Sequence, residues 1–443
     1  MIDRRMFLGS VATATAAVLA PSRLMAAVAA RTPALPDLST WDGVRAQFDL
    51  ARDQIHLSQF LLVSHPKPVR DAIAAYRAAI DAEPFLEVEH RMFGPGPDNI
   101  QLGLPVAMSG YLGARPDEIA ITGSTTEGLA MVYAGLPLQP GDEVLTSVHD
   151  HYSQHESIRF AVTKARASVR RFTLYASAPA ASVAEMTANL RAAIRPETRV
   201  VGMTWVHSST GVRIPVRALA DVIAKANRGR GESQRIVMVL DGAHGFGAID
   251  ESVAELGCDY FCAGTHKWMM APRGTGIVWA RAGLWARLLP TVPTFASLDA
   301  WNAWMTGDTK PRVTTAFDVT PGGFHAFEHQ WAMAAAFRFQ EGISRARVAG
   351  RIRELNDRCK AALASIPRVK VVTPRDPALS AGIVCFEVEG VEPEQVGAKL
   401  VERHIVAGAS PYLPSYARLS PSIVNTPAEV DEAARAVREI AGA

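Results

Sequence analysis

The chain has 443 residues, of which 48% are hydrophobic and 20% are charged. This is an ordinary globular composition, and the length is sufficient for a large hydrophobic core and two domains. Lys plus Arg is 46 and Asp plus Glu is 44, so the formal net charge is +2. A charge so close to balance gives no sign of the basic surface that binds nucleic acids.

The N-terminal residues 1–30 have the pattern of a twin-arginine signal peptide. Arg4 and Arg5 are followed by a mildly apolar run from Leu8 to Ala20, and then by small residues that suit cleavage. A membrane anchor is the alternative, but the run is too short to span a bilayer. The twin-arginine route carries folded proteins, so we expect a protein that is exported to the periplasm after it has folded.

The four cysteines do not have the arrangement of a disulfide scaffold. Cys258 and Cys262 are four residues apart on one predicted strand, so a bond between them is not expected. Three of the four, which include Cys385 but not Cys359, lie in apolar runs, where a free thiol behaves as a small hydrophobic group. An oxidising compartment would therefore be compatible with these thiols.

From about residue 117 the chain alternates apolar strands with amphipathic helices. This βαβ rhythm predicts an α/β fold with a mostly parallel, doubly wound sheet and right-handed crossovers. The predicted strands are Ile119–Thr122, Glu143–Ser147, Val200–Val206, Ile236–Leu240 and Gly274–Trp279, and the helices between them are Thr125–Gly135, Tyr152–Arg166 and Val216–Asn227.

The C-terminal part has a different pattern. Residues 284–324 show few periodic signals, and a long helical region is predicted over residues 326–366. Strands are expected near Val369 and Ile383, followed by helices over Pro393–Arg403 and Pro427–Ile440. This order is typical of a smaller α+β domain.

A phosphate-binding loop is predicted at Gly123–Gly128, between a strand and the helix that follows it. Backbone N–H groups at a helix N-terminus bind anions, and the hydroxyls of Thr125 and Thr126 would add to that cradle. The alternative is a plain helix cap with Glu127 in the first turn.

Two histidines, His149 and His151, follow the next strand, and His155 is close to them in the sequence. Such spacing is compatible with a metal site. However, no carboxylate or cysteine cluster completes a recognisable set of ligands, so we predict no metal here.

An acid and a lysine follow two further predicted strands. The apolar run that ends at Leu240 leads into Asp241, and the run Cys258–Cys262 leads into His266 and Lys267. In open α/β sheets, the carboxyl ends of the strands form the crevice where ligands bind. Taken singly, Asp241 is typical of a helix cap and Lys267 of a solvated surface residue. Together they favour pyridoxal phosphate (PLP) chemistry, with a Schiff base on the lysine and a carboxylate on the pyridinium nitrogen.

The sequence Asp-Gly-Ala-His at 241–244, followed by His-Lys-Trp at 266–268, resembles the class V aminotransferase family of fold-type I PLP enzymes. The isopenicillin-N-epimerase-like branch, a relative of the cysteine desulfurases, is the most similar. The resemblance covers roughly residues 40–440. It implies the fold of a PLP-dependent transferase and a likeness to enzymes that act as homodimers on amino acids or peptides.

The resemblance also implies a role for each matching residue. Lys267 would bind the cofactor and serve as the base at the substrate α-carbon, and Arg418 would clamp the α-carboxylate. The residues implied to bind the cofactor are Thr125, Thr126 and His266 at the phosphate, His151 stacked on the ring, Ser208 and His244 at the phenolic oxygen, Asp241 at the ring nitrogen, and Lys267.

Two departures from the family pattern bear on the reaction. Desulfurase relatives carry a catalytic cysteine shortly before the arginine, whereas residues 407–417 contain none. Residues 321–324 stand where relatives often offer a threonine hydroxyl to the phosphate of the partner subunit, so any such contact here would come from the backbone.

The predicted organisation has four parts. Residues 1–30 form the signal peptide, 31–100 an N-terminal segment that covers the active site, 101–325 the large PLP-binding domain, and 326–443 the small C-terminal α+β domain.

We expect an exported aminotransferase or epimerase that acts at the α-carbon of an amino acid or an amine-bearing peptide. A lyase or a periplasmic siderophore-tailoring PLP enzyme is the alternative. A doubly wound hydrolase or nucleotide-binding protein is disfavoured, because the chain has neither a Gly-x-Ser-x-Gly elbow nor a P-loop. A protein of this fold that only binds or senses is disfavoured by the presence of Asp241, Lys267 and Arg418.

Overall fold

The computed structural model describes residues 36–94 and 99–442. The predicted signal peptide therefore lies outside the described residues. The strands are β1 (Ile55–His56), β2 (Ile119–Thr122), β3 (Glu143–Ser147), β4 (Ser168–Phe172), β5 (Thr198–Thr204), β6 (Val237–Asp241), β7 (Tyr260–Gly264), β8 (Gly276–Ala280), β9 (Val369–Val371), β10 (Val384–Val388), β11 (Ile405–Val406), β12 (Gly408–Ala409) and β13 (Ala417–Leu419).

The α-helices pack around these strands, with several single-turn helices in the connections. They are α1 (Trp41–Arg45), α2 (Lys67–Ala82), α3 (Pro84–Val88), α4 (Ile100–Leu112), α5 (Thr125–Gly135), α6 (Tyr152–Ala165), α7 (Val183–Ala193), α8 (Val216–Ala226), α9 (Leu298–Thr306), α10 (Ala316–Val319), α11 (Phe327–Trp331), α12 (Met333–Ile343), α13 (Arg345–Ala364), α14 (Pro393–Val401) and α15 (Pro427–Ile440).

A seven-stranded sheet organises the larger part of the molecule, in the order β2-β8-β7-β6-β5-β3-β4. Strand β8 runs antiparallel to both of its neighbours, and the other strand pairs are parallel. This mixed sheet with its covering helices confirms the predicted α/β fold class.

Both faces of the sheet are buried, because side chains alternate between two hydrophobic clusters. On β6, Met238 and Leu240 pack in the cluster that contains α4, α7, α8 and α12, whereas Val237 and Val239 pack against α5 and α6. A strand that is buried on both faces is expected to be a nearly continuous apolar run. For that reason the central strands were recognisable in the sequence.

A smaller antiparallel sheet, in the order β12-β13-β10-β9, packs against α13 and α15 around a separate hydrophobic cluster. The N-terminal segment contacts this unit, since β1 pairs in parallel with β11. The four-part organisation proposed from the sequence remains a prediction. In the part of the chain that the structure describes, no helix is both long and apolar enough to cross a membrane.

Several bounds differ from the predicted ones for local reasons. The region 326–366 is three helices rather than one, because the chain turns at Ala332 and at Ser344, whose φ is +80°. Strand β5 begins two residues earlier than predicted, where the buried hydroxyl of Thr198 donates to Glu143 at 2.7 Å. It also ends earlier, because Val206 leaves the sheet to bridge with Arg213.

Candidate active site

The sequence-predicted residues meet at the carboxyl edge of four adjacent strands. His151 follows β3, Ser208 follows β5, Asp241 ends β6, and Lys267 follows β7. Because these strands are neighbours in the order β7-β6-β5-β3, their ends open into one crevice. Arg418 enters from β13 of the smaller sheet.

The lysine amine is held by a histidine rather than by a carboxylate. Lys267 Nζ lies 3.2 Å from His244 Nε2, and the indole N–H of Trp268 donates to His244 Nδ1 at 3.4 Å. An indole nitrogen can only donate, so Nδ1 accepts and Nε2 carries the ring proton. That proton then points to the lone pair of a neutral amine.

Burial makes the neutral form of this amine more accessible than in an exposed lysine. Burial lowers the pKa of Lys267 to about 8, with a further decrease from the cation of Arg418 and an opposing effect from Asp241. The pKa of His244 is also far below its usual value, mainly because the ring is buried. A neutral buried amine is the nucleophile that imine formation needs.

Asp241 is buried at the end of β6, and only 2% of the residue is exposed. Its Oδ1 accepts from the backbone N–H of Ala243 at 2.9 Å. Burial raises the pKa of this carboxyl to about 6, against the smaller lowering effects of the Ala243 hydrogen bond and of Lys267. A carboxylate in these surroundings gains by pairing with a cationic ring nitrogen.

The predicted phosphate loop forms the N-terminus of α5. Ser124 caps the helix by accepting from Glu127 N–H at 3.1 Å. The buried hydroxyl of Thr125 accepts from Gly264 N–H at 2.6 Å and so joins the loop to the end of β7. Thr126 is exposed at the first turn, where its hydroxyl and the free amides of the helix can meet an anion.

His266 lies next to this loop. A Cβ on Gly264 would stand 2.8 Å from His266 Cε1 and 3.2 Å from Thr125 Oγ1, so only glycine fits between them. His266 Nδ1 is buried and has no hydrogen-bond partner among the described residues. A buried polar atom without a partner is costly, and a phosphate oxygen would satisfy it.

His151 caps helix α6. Ser153 donates to its Nδ1 from the backbone N–H at 3.1 Å and from the hydroxyl at 2.6 Å. Burial, followed by the cation of Lys267, lowers the pKa of His151 to about 4. The ring is therefore neutral at physiological pH, with a fixed orientation, which suits stacking on a cofactor ring.

A buried polar network that the sequence did not predict supports this edge of the sheet. Asp150 accepts from Thr146 Oγ1 at 2.8 Å and from Thr204 N–H at 2.8 Å, so it ties the ends of β3 and β5 together. The Tyr175 hydroxyl lies 3.0 Å from His207 Nδ1, and the Tyr175 ring stacks on His149 at 3.8 Å. The contacts of His149 with Tyr175 are thus part of this supporting network.

Arg418 is a buried cation without a carboxylate partner. Its Nη1 donates to Ser208 O at 3.1 Å and its Nη2 to Ala409 O at 2.8 Å, while the guanidinium lies 4.1 Å from the centre of the Phe60 ring. Within the described residues, Arg418 forms no ion pair and its Nε has no hydrogen-bond partner. Burial lowers its pKa, so an incoming carboxylate would relieve the cost of the buried charge.

Tyr412 is a second residue that sequence reasoning missed. It lies in the turn between β12 and β13, and its hydroxyl is 2.5 Å from Ser208 Oγ. Its ring meets the His151 ring edge-on, with 6.3 Å between the centroids. The hydroxyl of Ser208, predicted to face the cofactor oxygen, is thus engaged by the loop of the small domain.

The residues of the crevice fit each functional group of PLP. A buried acid is present for the ring nitrogen, a neutral imidazole for the ring face, a buried lysine amine for the aldehyde, and at the phosphate loop a histidine whose Nδ1 has no partner among the described residues. Among residues 36–94 and 99–442, no group of three or more His, Cys, Asp or Glu side chains is placed to hold a metal ion.

The comparisons with known proteins agree with this geometry. The model of the family described as aminotransferase class-V matches residues 107–432, and the chain belongs to that family. The predicted family and the predicted cofactor, pyridoxal 5′-phosphate, are thereby confirmed.

Two curated relatives match nearly the whole chain. The isopenicillin N epimerase of Streptomyces clavuligerus is 25% identical over 91% of this chain and 99% of its own length. That of Amycolatopsis lactamdurans is 27% identical, with the same coverage of 91% and 99%. A probable cysteine desulfurase of Vibrio cholerae is 24% identical over 83% of this chain and 88% of its own length.

Solved structures share the fold. A mutant of C-DES with glycine covalently linked to its PLP cofactor superimposes with a TM-score of 0.76 at 19% identity, covering 88% of this chain and 98% of its own. The cysteine desulfurase of Thermococcus onnurineus gives a TM-score of 0.75 at 21% identity, covering 93% and 99%.

Proposed function

We propose that the protein is an epimerase or aminotransferase that acts at the α-carbon of an amino acid, or of a peptide that keeps a free amine and carboxylate there. The observation that carries this proposal is Arg418, a buried guanidinium without an ion-pair partner among the described residues, in the same crevice as the Lys267 amine. A guanidinium–carboxylate pair supplies both binding energy and orientation.

The residues of the site divide the work. Arg418 would orient the carboxylate so that the α-hydrogen faces Lys267, whose amine removes it as a proton. His244 positions that amine through the contact between its Nε2 and Lys267 Nζ. When bound, PLP supplies the electron sink that makes the α-proton removable, and Asp241 keeps its ring nitrogen protonated.

Full-length similarity to isopenicillin N epimerases favours epimerisation. Aminotransfer is the second candidate, because the same proton removal starts both reactions. Desulfuration is disfavoured, since residues 407–417 contain no cysteine. The four cysteines are buried, and burial raises the pKa of Cys385 and of Cys359 to about 12. A persulfide-forming thiol requires exposure and a low pKa.

The test is hydrogen exchange at the α-carbon. Purified protein would be incubated in D₂O with isopenicillin N, L-alanine and L-glutamate, with and without pyruvate, and followed by proton NMR and chiral chromatography. Inversion without pyruvate identifies an epimerase, and consumption of pyruvate identifies an aminotransferase. If no substrate exchanges its α-hydrogen, the proposed function is wrong.

We also propose that the working form is a homodimer, and that it reaches the periplasm by the twin-arginine route. The motivation for export is Arg4 and Arg5 before a short apolar run. Replacement of both by lysine should retain the protein inside the cell, as measured by fractionation and immunoblotting. Unchanged periplasmic recovery would contradict this route.

A further inference from the structure

We propose that Tyr412 is a second acid–base residue, which delivers a proton to the α-carbon on the face away from Lys267. The inference rests on the proposed function and deepens it, because it assigns the two proton transfers of an epimerisation to two different residues, Lys267 and Tyr412. One-base epimerisation would require Lys267 to reach both faces of the same carbon.

The first observation is the placement of the Tyr412 hydroxyl. It lies 2.5 Å from Ser208 Oγ, and the backbone carbonyl of the same Ser208 accepts from Arg418 Nη1 at 3.1 Å. The phenol and the carboxylate clamp are therefore anchored to one residue. In the proposal, a substrate carboxylate that pairs with Arg418 brings the α-carbon bonded to it towards this hydroxyl.

The second observation is the separation, along the sheet edge, of the strands that precede Lys267 and Ser208, the partner of Tyr412. Lys267 follows β7, and Ser208, the partner of Tyr412, follows β5, with β6 between them. Neighbouring strands are about 4.8 Å apart, so the two strand ends stand roughly 10 Å apart, on either side of Asp241 at the end of β6. The charges of Asp241 and Arg418 act on both groups. The lysine and the partner of the phenol thus lie on opposite sides of β6, and the proposal places the reacting carbon between them.

The third observation is the protonation state of the phenol. Burial raises the pKa of Tyr412, against the lowering effects of the Ser208 hydrogen bond and of Arg418. Tyr412 thus holds its proton at neutral pH, whereas Lys267, with a pKa of about 8, has a neutral fraction available as base. The two groups begin in the complementary states that proton exchange at one carbon requires.

The step is balanced in atoms and charge. The Lys267 amine removes the α-hydrogen as a proton and becomes ammonium, while the Tyr412 O–H bond breaks and its proton forms the new C–H bond on the other face. The phenolate that remains is stabilised by Ser208 and Arg418. Proton transfer from the ammonium to the phenolate through solvent restores both groups, and no electrons are gained or lost overall.

Other side chains are less suited to this role. The Nδ1 of His151 is occupied by the helix cap at Ser153, and His244 is on the lysine side of the crevice. Tyr416 belongs to the same loop but contributes its backbone to a pairing with Ser410. Tyr416→Phe is therefore a matched control, because it removes a phenolic hydroxyl from the same loop and this hydroxyl has no hydrogen bond to Ser208.

The experiment compares the holoenzyme with Tyr412→Phe and Tyr416→Phe in D₂O, using the member of the isopenicillin N, L-alanine and L-glutamate panel that exchanges fastest in the wild type. We expect Tyr412→Phe to lose inversion by about 100-fold or more. It should retain exchange in the recovered starting isomer within a few fold and keep the visible absorbance of the bound cofactor. Inverted product from the wild type should carry one solvent deuterium at the α-carbon.

Three results would overturn the inference. They are inversion by Tyr412→Phe at the wild-type rate, equal loss of inversion and exchange in that variant, and exchange without inversion in the wild type. If Tyr416→Phe matched the loss seen in Tyr412→Phe, the effect would belong to the loop and not to the Ser208-bound hydroxyl. Absence of exchange in the wild type contradicts the proposed function itself and is distinguishable from all of these.

Discussion

The crevice has two walls that are built differently. We call the residues at the ends of β6 and β7, namely Asp241, His244 and Lys267, the floor, and residues 410–418 of the small domain, with Tyr412 and Arg418, the lid wall. The floor is fixed by strands that are buried on both faces. The lid wall is a loop that leads into the start of β13, and its Tyr412 and Arg418 contact Ser208 and Phe60 across the crevice.

Their electrostatics differ as well. In the floor, the opposite charges of Asp241 and Lys267 act on each other, and His244 completes the contact. In the lid wall, the partners of Arg418 among residues 36–94 and 99–442 are two neutral backbone acceptors and an aromatic ring. On the proposed function, the floor would hold the cofactor and the lid wall would bind the carboxylate of the substrate.

Lys267→Ala tests the role of the floor, and the largest effect is expected for this variant. Removal of the amine takes away both the covalent attachment and the base, so turnover should fall by on the order of 10⁴-fold or more. The visible absorbance of the lysine-bound cofactor should also disappear.

The matched control is Lys370→Ala, because Lys370 is an exposed lysine of the small domain that pairs with Glu387 at 3.2 Å. It should behave as the wild type in both absorbance spectroscopy and turnover. A normal spectrum in Lys267→Ala would mean that another amine holds the cofactor and that the floor is misassigned.

Arg418→Ala tests the lid wall alone. Loss of the guanidinium should cost about 2–4 kcal/mol in transition-state binding, or roughly 30- to 1,000-fold in kcat/KM. The cofactor spectrum should persist, because Arg418 is assigned to the substrate.

A substrate analogue with an amide in place of the carboxylate provides the control for this prediction. The wild type and Arg418→Ala should process the amide at similar rates, since no carboxylate is left to pair. If the variant lost as much activity on the amide as on the acid, Arg418 would be supporting the loop rather than binding the carboxylate.

The smallest expected effect is a shift in pH dependence that sharpens the electrostatic contrast. With the pKa of Lys267 lowered to about 8, the neutral amine increases about tenfold per pH unit below 8 and levels off above it. The rate at which cofactor-free protein captures PLP should follow this curve. Because the charge of Asp241 raises the lysine pKa, Asp241→Asn should move the midpoint to lower pH.

Stopped-flow absorbance between pH 6 and 10 would measure both midpoints. The maximal rate and the affinity of Asp241→Asn are also expected to fall, because the ring nitrogen loses its partner, so the midpoint is the informative quantity. An unchanged midpoint in the variant would show that Asp241 and Lys267 do not interact in the free site.

The central strands and the positions of the floor residues at their ends could be predicted from the sequence. Strands buried on both faces have continuous apolar sequences. The polar residues at or just after their ends, such as Asp241 and Lys267, indicate where the crevice lies. The loop at Gly123–Gly128, predicted to bind the phosphate, could be located in the same way, because a strand, a short polar turn and a helix follow one another there.

The place of Tyr412 in the lid wall and the contacts of Arg418 became apparent only from the folded chain. Tyr412 contacts Ser208, which is 204 residues away in the chain, and Arg418 contacts Phe60, which lies in the N-terminal part of the chain. The pairing of Tyr175 with His207 likewise joins segments that no local periodicity connects. Local patterns report which backbone a segment adopts. Contacts such as these depend on how the two sheets and the segments around them pack, which is a property of the whole chain.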